Sequence, residues 1–405
     1  MSLPRKTGLA LALLGAAALG APHPARAQDS LQTVMSGLDN PHGLVFGPDG
    51  GLYVAEAGNG GPAGNPTILT SNNGEVNTLG STGAVSRYLN GVQKQIITGL
   101  PSLADPAGTP PGGSATGLQD LAFDSSGNLF GVIGLGANPA NRAGLGAGGA
   151  DLGQLVQLNT TTQAVTPLAD LAAYEASQNP HGGTPDTNPY GLTALPGGGF
   201  AVADAGGNDV LGVTAGGVIS TKALFPDVTN PLFSIPIGGP TYQSVPTASQ
   251  VGPDGALYVS ELTGFPFVPG AADIFRVDPT TGNVTVAYSG FTNITDFTFG
   301  QNNTLDVLEI SAGGLGPTGS PVPGALIQVN TLTGARTTLA SAGLIFPTSV
   351  VQGPDGSLYV SNLGTSPGGG QVVRLVPPAV PEPSSLALLA LGLLPLGWAA
   401  RKRRA

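Results

Sequence analysis

Six times this chain writes an apolar stretch, a tight turn and a second apolar stretch, and that repetition constrains the fold more than any other feature. Asn40 to Glu56 reads NPHGLVFGPDGGLYVAE. Leu118 to Ile133 reads LQDLAFDSSGNLFGVI, Pro189 to Asp204 PYGLTALPGGGFAVAD, and Pro246 to Glu261 PTASQVGPDGALYVSE. Ile294 to Glu309 reads ITDFTFGQNNTLDVLE, and Pro347 to Asn362 PTSVVQGPDGSLYVSN. Each copy is a hairpin by its own chemistry: Pro presets φ, Asp bonds back to the backbone, and Gly takes the left-handed position. Hairpins repeating at this interval mean a repeat architecture.

Between the hairpins lie further strand-like segments, GAVSRYLNG at Gly83, GQLVQLNTTTQ at Gly153, NDVLGVTAGG at Asn208, DIFRVDPTTGN at Asp273 and ALIQVNTLTGA at Ala325. Outermost strands follow, such as QKQIITGL ending at Leu100 and NVTVAYSGF ending at Phe291. Four strands in each of six repeats predict an all-β, six-bladed β-propeller spanning 28–376. The last repeat lacks a fourth strand, so LQTVMSG at Leu31 is expected to supply it and close the ring, protecting the sheet edges. With 65 Gly, 37 Pro and 9% charged residues, the composition suits short strands joined by many turns. Glycine- and proline-rich insertions at 58–82, 105–115, 134–150 and 178–187 read as surface loops.

The two ends have a different character. Arg5 and Lys6 precede an apolar run, and Ala25-Arg26-Ala27 makes a cleavage site, so 1–27 reads as a secretory signal helix. At the other end Pro381-Glu382-Pro383 precedes the apolar run Leu386 to Ala400, and Arg401-Lys402-Arg403-Arg404 follows it. This tail, 377–405, resembles the PEP-CTERM sorting signal. The resemblance implies a short transmembrane helix with transient membrane contact, a membrane-anchored precursor, and exosortase as a partner. It also implies removal of the tail and release to the cell surface or extracellular matrix; a permanent single-span anchor is the alternative.

Without its ends the chain keeps seven of 14 Lys and Arg and all but one of 24 acids, a formal charge of −16 for residues 28–380. Such a surface repels nucleic acid and attracts cations. There is no Cys, so disulfides are excluded.

Further resemblance lies within the repeats. Val245 to Gly282, with NPYGL at Asn188 and AVADAGGNDVL at Ala201, is similar to the ScyD/ScyE family of secreted NHL-like propellers. That family implies the fold and no defined activity.

Aligning the hairpins places His42, Gln119, Tyr190, Thr247, Thr295 and Thr348 in one column at the start of the inner strands, with Asp120 and Asp296 one residue further in. A second column, Glu56, Ile133, Asp204, Glu261, Glu309 and Asn362, ends the second strands. Both rings are expected around one mouth of the central channel. Glu56, Asp204, Glu261, Glu309 and Asn362 of the second ring are candidates for holding Ca²⁺, which takes six to eight oxygens; alternatively the acids bond backbone amides at strand ends. The sequence offers no nucleophile elbow and no zinc-binding helix. His42 and Asp296 are the candidate bases of a calcium-dependent lactonase or esterase, while His42 in an Asn-Pro-His-Gly turn also suits a structural role. Phe265 and Phe267, in a loop with two prolines, read as a ligand loop or as a cover over the gap between blades. The sequence reading is an exported binding or scaffold module for exopolysaccharide or a surface protein, with the metal-dependent hydrolase as its alternative.

Overall fold

The computed structural model describes residues 30–234, 237–316 and 322–376. They form six antiparallel sheets arranged as blades around one axis, and a two-stranded ribbon, Val228–Thr229 with Thr241–Tyr242, in the connection between blades 3 and 4. Blade 1 holds Pro41–Phe46, Leu52–Glu56, Val76–Leu89 and Val92–Ala104. Blade 2 holds Leu118–Phe123, Leu129–Ile133, Gln154–Leu158 and Val165–Asp170. Pro189–Ala194, Phe200–Asp204, Asp209–Val213 and Ile219–Leu224 make blade 3. Blade 4 comprises Pro246–Val251, Leu257–Glu261, Ala272–Val277 and Val284–Phe291. In blade 5 are Ile294–Gly300, Thr304–Glu309, Ala325–Asn330 and Arg336–Ala340. Ser349–Gln352, Leu358–Asn362 and Gly370–Val376 form blade 6, whose outer strand is the N-terminal Ser30–Leu38. The register runs from Ser30↔Val376 to Leu38↔Gly370, so the two ends of the domain close the ring as expected.

The core lies between blades rather than within one. Tyr53, Val85 and Ile97 of blade 1 pack with Leu118, Leu121 and Ile133 of blade 2, and similar clusters fill the other gaps. Strands buried on both faces read as continuous apolar runs, which is why the hairpins stand out in the sequence.

The Pro-Asp-Gly turns do more than reverse the chain. Asp49 accepts from Gly51 N (2.9 Å), the Tyr53 hydroxyl (3.1 Å) and Arg87 Nη1 (3.1 Å). Asp254, Tyr258 and Arg276 repeat this triad in blade 4, and Asp355, Tyr359 and Arg374 repeat it in blade 6. Each tyrosine then meets a phenylalanine of the next blade edge to face: Tyr53 with Phe123, Tyr258 with Phe299, Tyr359 with Phe46. Turn chemistry thereby sets the spacing between blades.

The two faces of the ring differ. One carries only tight turns, the longest being 159–164 and 278–283. The other carries the long connections: 57–75, 105–117, 134–153, 171–188 and 262–271, with the described parts of two more, 225–234 with 237–245 and 310–316 with 322–324. Inner strands begin on this second face, so it holds the mouth of the channel. Ser30 and Val376, the first and last described residues, both lie on the turn face.

Some loop expectations are refined. Within 58–82, Ile68–Thr70 pairs with an extension of Val76–Leu89 as a fifth strand. Within 134–150, Pro139–Gly149 is 3₁₀-helical. Helix α1, Leu171–Gln178, was absent from the sequence reading, although Asp170 caps it through Ala173 N (2.9 Å) and Leu-Ala-Ala-Tyr-Glu-Ala is helix-forming.

The expectations about the ends are not upheld. No helix of the described residues is long and apolar enough to cross a membrane, against the signal helix, the transmembrane helix, the membrane-anchored precursor and the membrane contact. Residues 1–29 and 377–405, where those expectations fall, lie outside the described residues. The run Leu386 to Ala400 is itself shorter than the roughly 20 residues a span needs, and Pro395 interrupts it.

Candidate functional site at the channel mouth

The first column converges. His42, Gln119, Tyr190, Thr247, Thr295 and Thr348 line one small cavity with Asp120 and Asp296, and its volume is about 10 Å³. That is room for roughly one water.

Two halves of this ring behave differently. In blades 4, 5 and 6 the threonine hydroxyl donates to a carbonyl of the next blade: Thr247 to Ile294 O (2.9 Å), Thr295 to Pro347 O (3.2 Å), Thr348 to Pro41 O (2.6 Å). In blades 1, 2 and 3 the column holds His42, Gln119 and Tyr190, and no such bond is made. Both His42 ring nitrogens and Gln119 Oε1 are buried without a hydrogen-bond partner. The His42 and Tyr190 rings meet edge to face at 5.6 Å.

Asp120 and Asp296 stand on blades 2 and 5, opposite each other in a ring of six. Asp120 accepts from Leu121 N (2.8 Å) and from Leu192 N of blade 3 (2.7 Å). Asp296 accepts from Phe297 N (2.7 Å) and, in blade 6, from the Ser349 hydroxyl (2.6 Å) and Val350 N (2.8 Å). Gly43 has to be glycine here, since a Cβ would sit 2.0 Å from Asp120 Oδ1. Loss of water raises the Asp120 carboxyl well above its usual range, and the charge of Asp296 adds to this. Asp296 is raised to about 6 by burial, against the pull of its three donors. Burial lowers His42 to about 4, so its imidazole is neutral at pH 7. Tyr190 is raised by burial and by both carboxylates.

The second column is built differently. Glu56 accepts from Asp39 N (2.8 Å), Glu309 from Thr292 N (2.8 Å), and Asn362 Oδ1 from Ile345 N (2.7 Å). Glu261 accepts from the Ser244 hydroxyl and from Asp273 N (3.0 Å). Asp204 accepts from the Thr187 hydroxyl, Asn188 N (2.6 Å), Gly206 N (3.0 Å) and Gly207 N (3.0 Å). Each side chain thus ties the loop entering its blade to the end of the second strand. Ile133 fills the same place in blade 2 with an apolar side chain. None of this column lines the channel cavity. Among the described residues no group of three or more His, Asp or Glu stands so as to hold a metal ion.

Sequence reasoning missed a further acidic group. Glu175 of helix α1 and Asp186 of the loop after it face Asp204 and Asp209 of blade 3. Burial, then the charge of Asp204, raises Glu175 to about 7; the same causes raise Asp209 well above its usual range. Residues far apart in sequence give no local signal for such a group.

Phe265 is 51% exposed, and Phe267 meets it edge to face at 6.1 Å. The Phe265 ring lies beside Gly238 of the blade 3–4 connection, while Pro266 and Phe267 lie against Gly316 of blade 5. This loop therefore covers a gap and presents one ring to solvent.

Residues 379–404 match the PEP-CTERM protein-sorting motif, which supports export to the surface through exosortase processing. No curated protein matches the chain. Among solved structures, a protein of unknown function from Bacteroides thetaiotaomicron is similar at 8% identity and TM-score 0.52, covering 87% of this chain and 76% of that one. A streptogramin B lyase is similar at 15% identity and TM-score 0.47, covering 87% and 99%. A putative gluconolactonase is similar at 10% identity and TM-score 0.47, covering 86% and 92%. Likeness at these identities is a likeness of fold.

Proposed function

We propose that this exported propeller is a binding module, of the ScyD/ScyE type, which engages exopolysaccharide or a surface protein with its mouth face. The observation that carries this reading is the asymmetry of the ring. All long connections, the exposed Phe233 and Phe265, and the unpartnered channel groups share one face, while the last described residue before the sorting tail, Val376, lies on the other. Loops on a rigid scaffold are where recognition concentrates. The test is binding of the exported chain to cell-surface material from its own source. Phe233→Ser with Phe265→Ser should abolish it, and Val218→Ser with Leu332→Ser in turns of the opposite face should not. Equal loss in both pairs, or no binding by the parent, would sink the reading.

A second reading, an extracellular hydrolase of the lactonase or esterase type, is favoured by one observation. His42, Asp120, Asp296 and Tyr190 meet in one cavity, where a neutral imidazole and a carboxyl of raised affinity for protons suit general acid–base work. Calcium was the cofactor of that reading. The acids of the second column do not fit it, because their oxygens already serve their own loops and they do not converge. A screen of lactones and esters, with His42→Asn and Asp296→Asn as controls, decides it. Turnover that survives both substitutions would remove the channel from the chemistry.

A further inference from the structure

The channel mouth gathers buried polar atoms that no group of the fold satisfies. Every threonine hydroxyl of the ring is engaged with a carbonyl of the next blade. What remains open is one acceptor nitrogen and one N–H on the neutral His42 and Gln119 Oε1, with Gln119 Nε2, the Tyr190 hydroxyl and the Asp296 carboxylate beside them. His42 is 8% and Gln119 3% exposed, so their open atoms have only the cavity to face.

No basic side chain of the domain reaches this place. Arg87, Arg276 and Arg374 hold the turns of the opposite face. Arg142 is bound to Asp170, Arg336 lies over Phe291, and Lys94 and Lys222 belong to outer strands. The missing partner is therefore a small cation, and the open imidazole nitrogen and amide oxygen call for one that donates hydrogen bonds. An ammonium fits both demands: it is the size of a water, carries one positive charge and offers three N–H groups. A metal ion is less suited, because among the described residues no three His, Asp or Glu side chains converge on one.

The size of the cavity selects among ammonium carriers. A volume of about 10 Å³ ringed by His42, Gln119, Tyr190 and three threonines holds an ammonium group and has no room for the sugar ring that would carry an amine directly. We propose that the channel mouth is a socket for a primary ammonium at the end of an alkyl stem, the side chain of a lysine on a partner protein. This inference rests on the mouth face being the binding face, and the acidic domain draws such a partner toward it. The ionised form of Asp296 supplies the counter-charge, so binding weakens as pH falls through about 6.

The test is a histidine-nitrogen NMR titration of the exported chain with Nα-acetyl-lysine amide at pH 7.5, His42 being identified by loss of its signals in His42→Asn. The ligand should move both His42 nitrogens with saturation. Asp296→Asn should weaken binding about tenfold, the loss of one charge-assisted bond. Potassium chloride and glucosamine should leave His42 unmoved. Should Asp296→Asn not fold, Gln119→Leu carries the same test, because Gln119 Oε1 bonds nothing in the fold. An unmoved His42, an equal response to potassium or glucosamine, or parent-like affinity in the variants would overturn the socket. If cell-surface material still binds while the lysine probe does not, the socket fails and the binding module stands.

Discussion

The Thr348 hydroxyl donates to the Pro41 carbonyl at 2.6 Å, joining the last inner strand to the first across 307 residues. Thr247 and Thr295 make the equivalent bonds one and two blades earlier, so half of the channel wall is stitched by a single residue type.

Thr348→Val should therefore destabilise the protein by about 1–3 kcal/mol, because the Pro41 carbonyl is left buried and unpaired. Thr348→Ser should restore most of that. Urea unfolding of the three proteins measures it, and equal stability of the valine variant and the parent would remove the stitch from the account.

Deleting Ser30–Leu38 should abolish cooperative folding, since the Gly370–Val376 edge loses its partner and the apolar contacts of Met35 and Leu38. Soluble yield and the sharpness of the thermal transition report it. A monomeric, cooperatively folding deletion would show that the ring does not need its last strand.

Stability should fall as pH rises from about 4.5 to about 7. Glu175, Glu261 and Glu309 are each raised by burial to about 7, and Asp296 and Asp306 to about 6, so the folded state holds more protons than the unfolded chain across this window. His42, lowered to about 4, works in the opposite sense between pH 4 and 6.5 and is one group against five. The urea midpoint should be higher at pH 5 than at pH 8, and Glu175→Gln should flatten the difference. A midpoint that climbs toward pH 8 would contradict the burial of these carboxyls.

Chelator and added calcium should leave the unfolding temperature unchanged, because the acids at the ends of the second strands are satisfied by amides and hydroxyls of their own loops. A rise of several degrees with calcium would place an ion there and revive the metal-dependent reading.

Arg374→Ala should lower stability by less than about 1 kcal/mol, and less still at high salt, since its pair with Asp355 is only half-buried. Tyr359→Ala should cost more, because the Phe46 contact between blades goes with it. Denaturation at two salt concentrations separates the two effects.

The repeat was legible because each blade carries its own local chemistry: Pro, Asp and Gly make the turn, and an apolar run on either side makes strands that are covered on both faces. The closing strand was legible for the same reason, as an unmatched strand at one end and a missing one at the other. Alignment of the copies also found the channel column, since a residue at a fixed place in a repeat takes a fixed place in a ring.

What alignment did not find is where two equivalent columns point. Glu56 and His42 are paired blade by blade in the sequence, yet the glutamate turns back to the Asp39 amide and the histidine faces the channel. Helix α1 and the meeting of Glu175 with Asp204 and Asp209 were also hidden, because they depend on how a connection folds over its neighbour. The sequence alone determined the hairpins, their number and the closure of the ring, since those follow from backbone conformations that neighbouring residues impose on one another. Only the tertiary structure decided which polar side chains are satisfied and which are left open, since hydrogen-bond partners and loss of water depend on groups brought together from different blades.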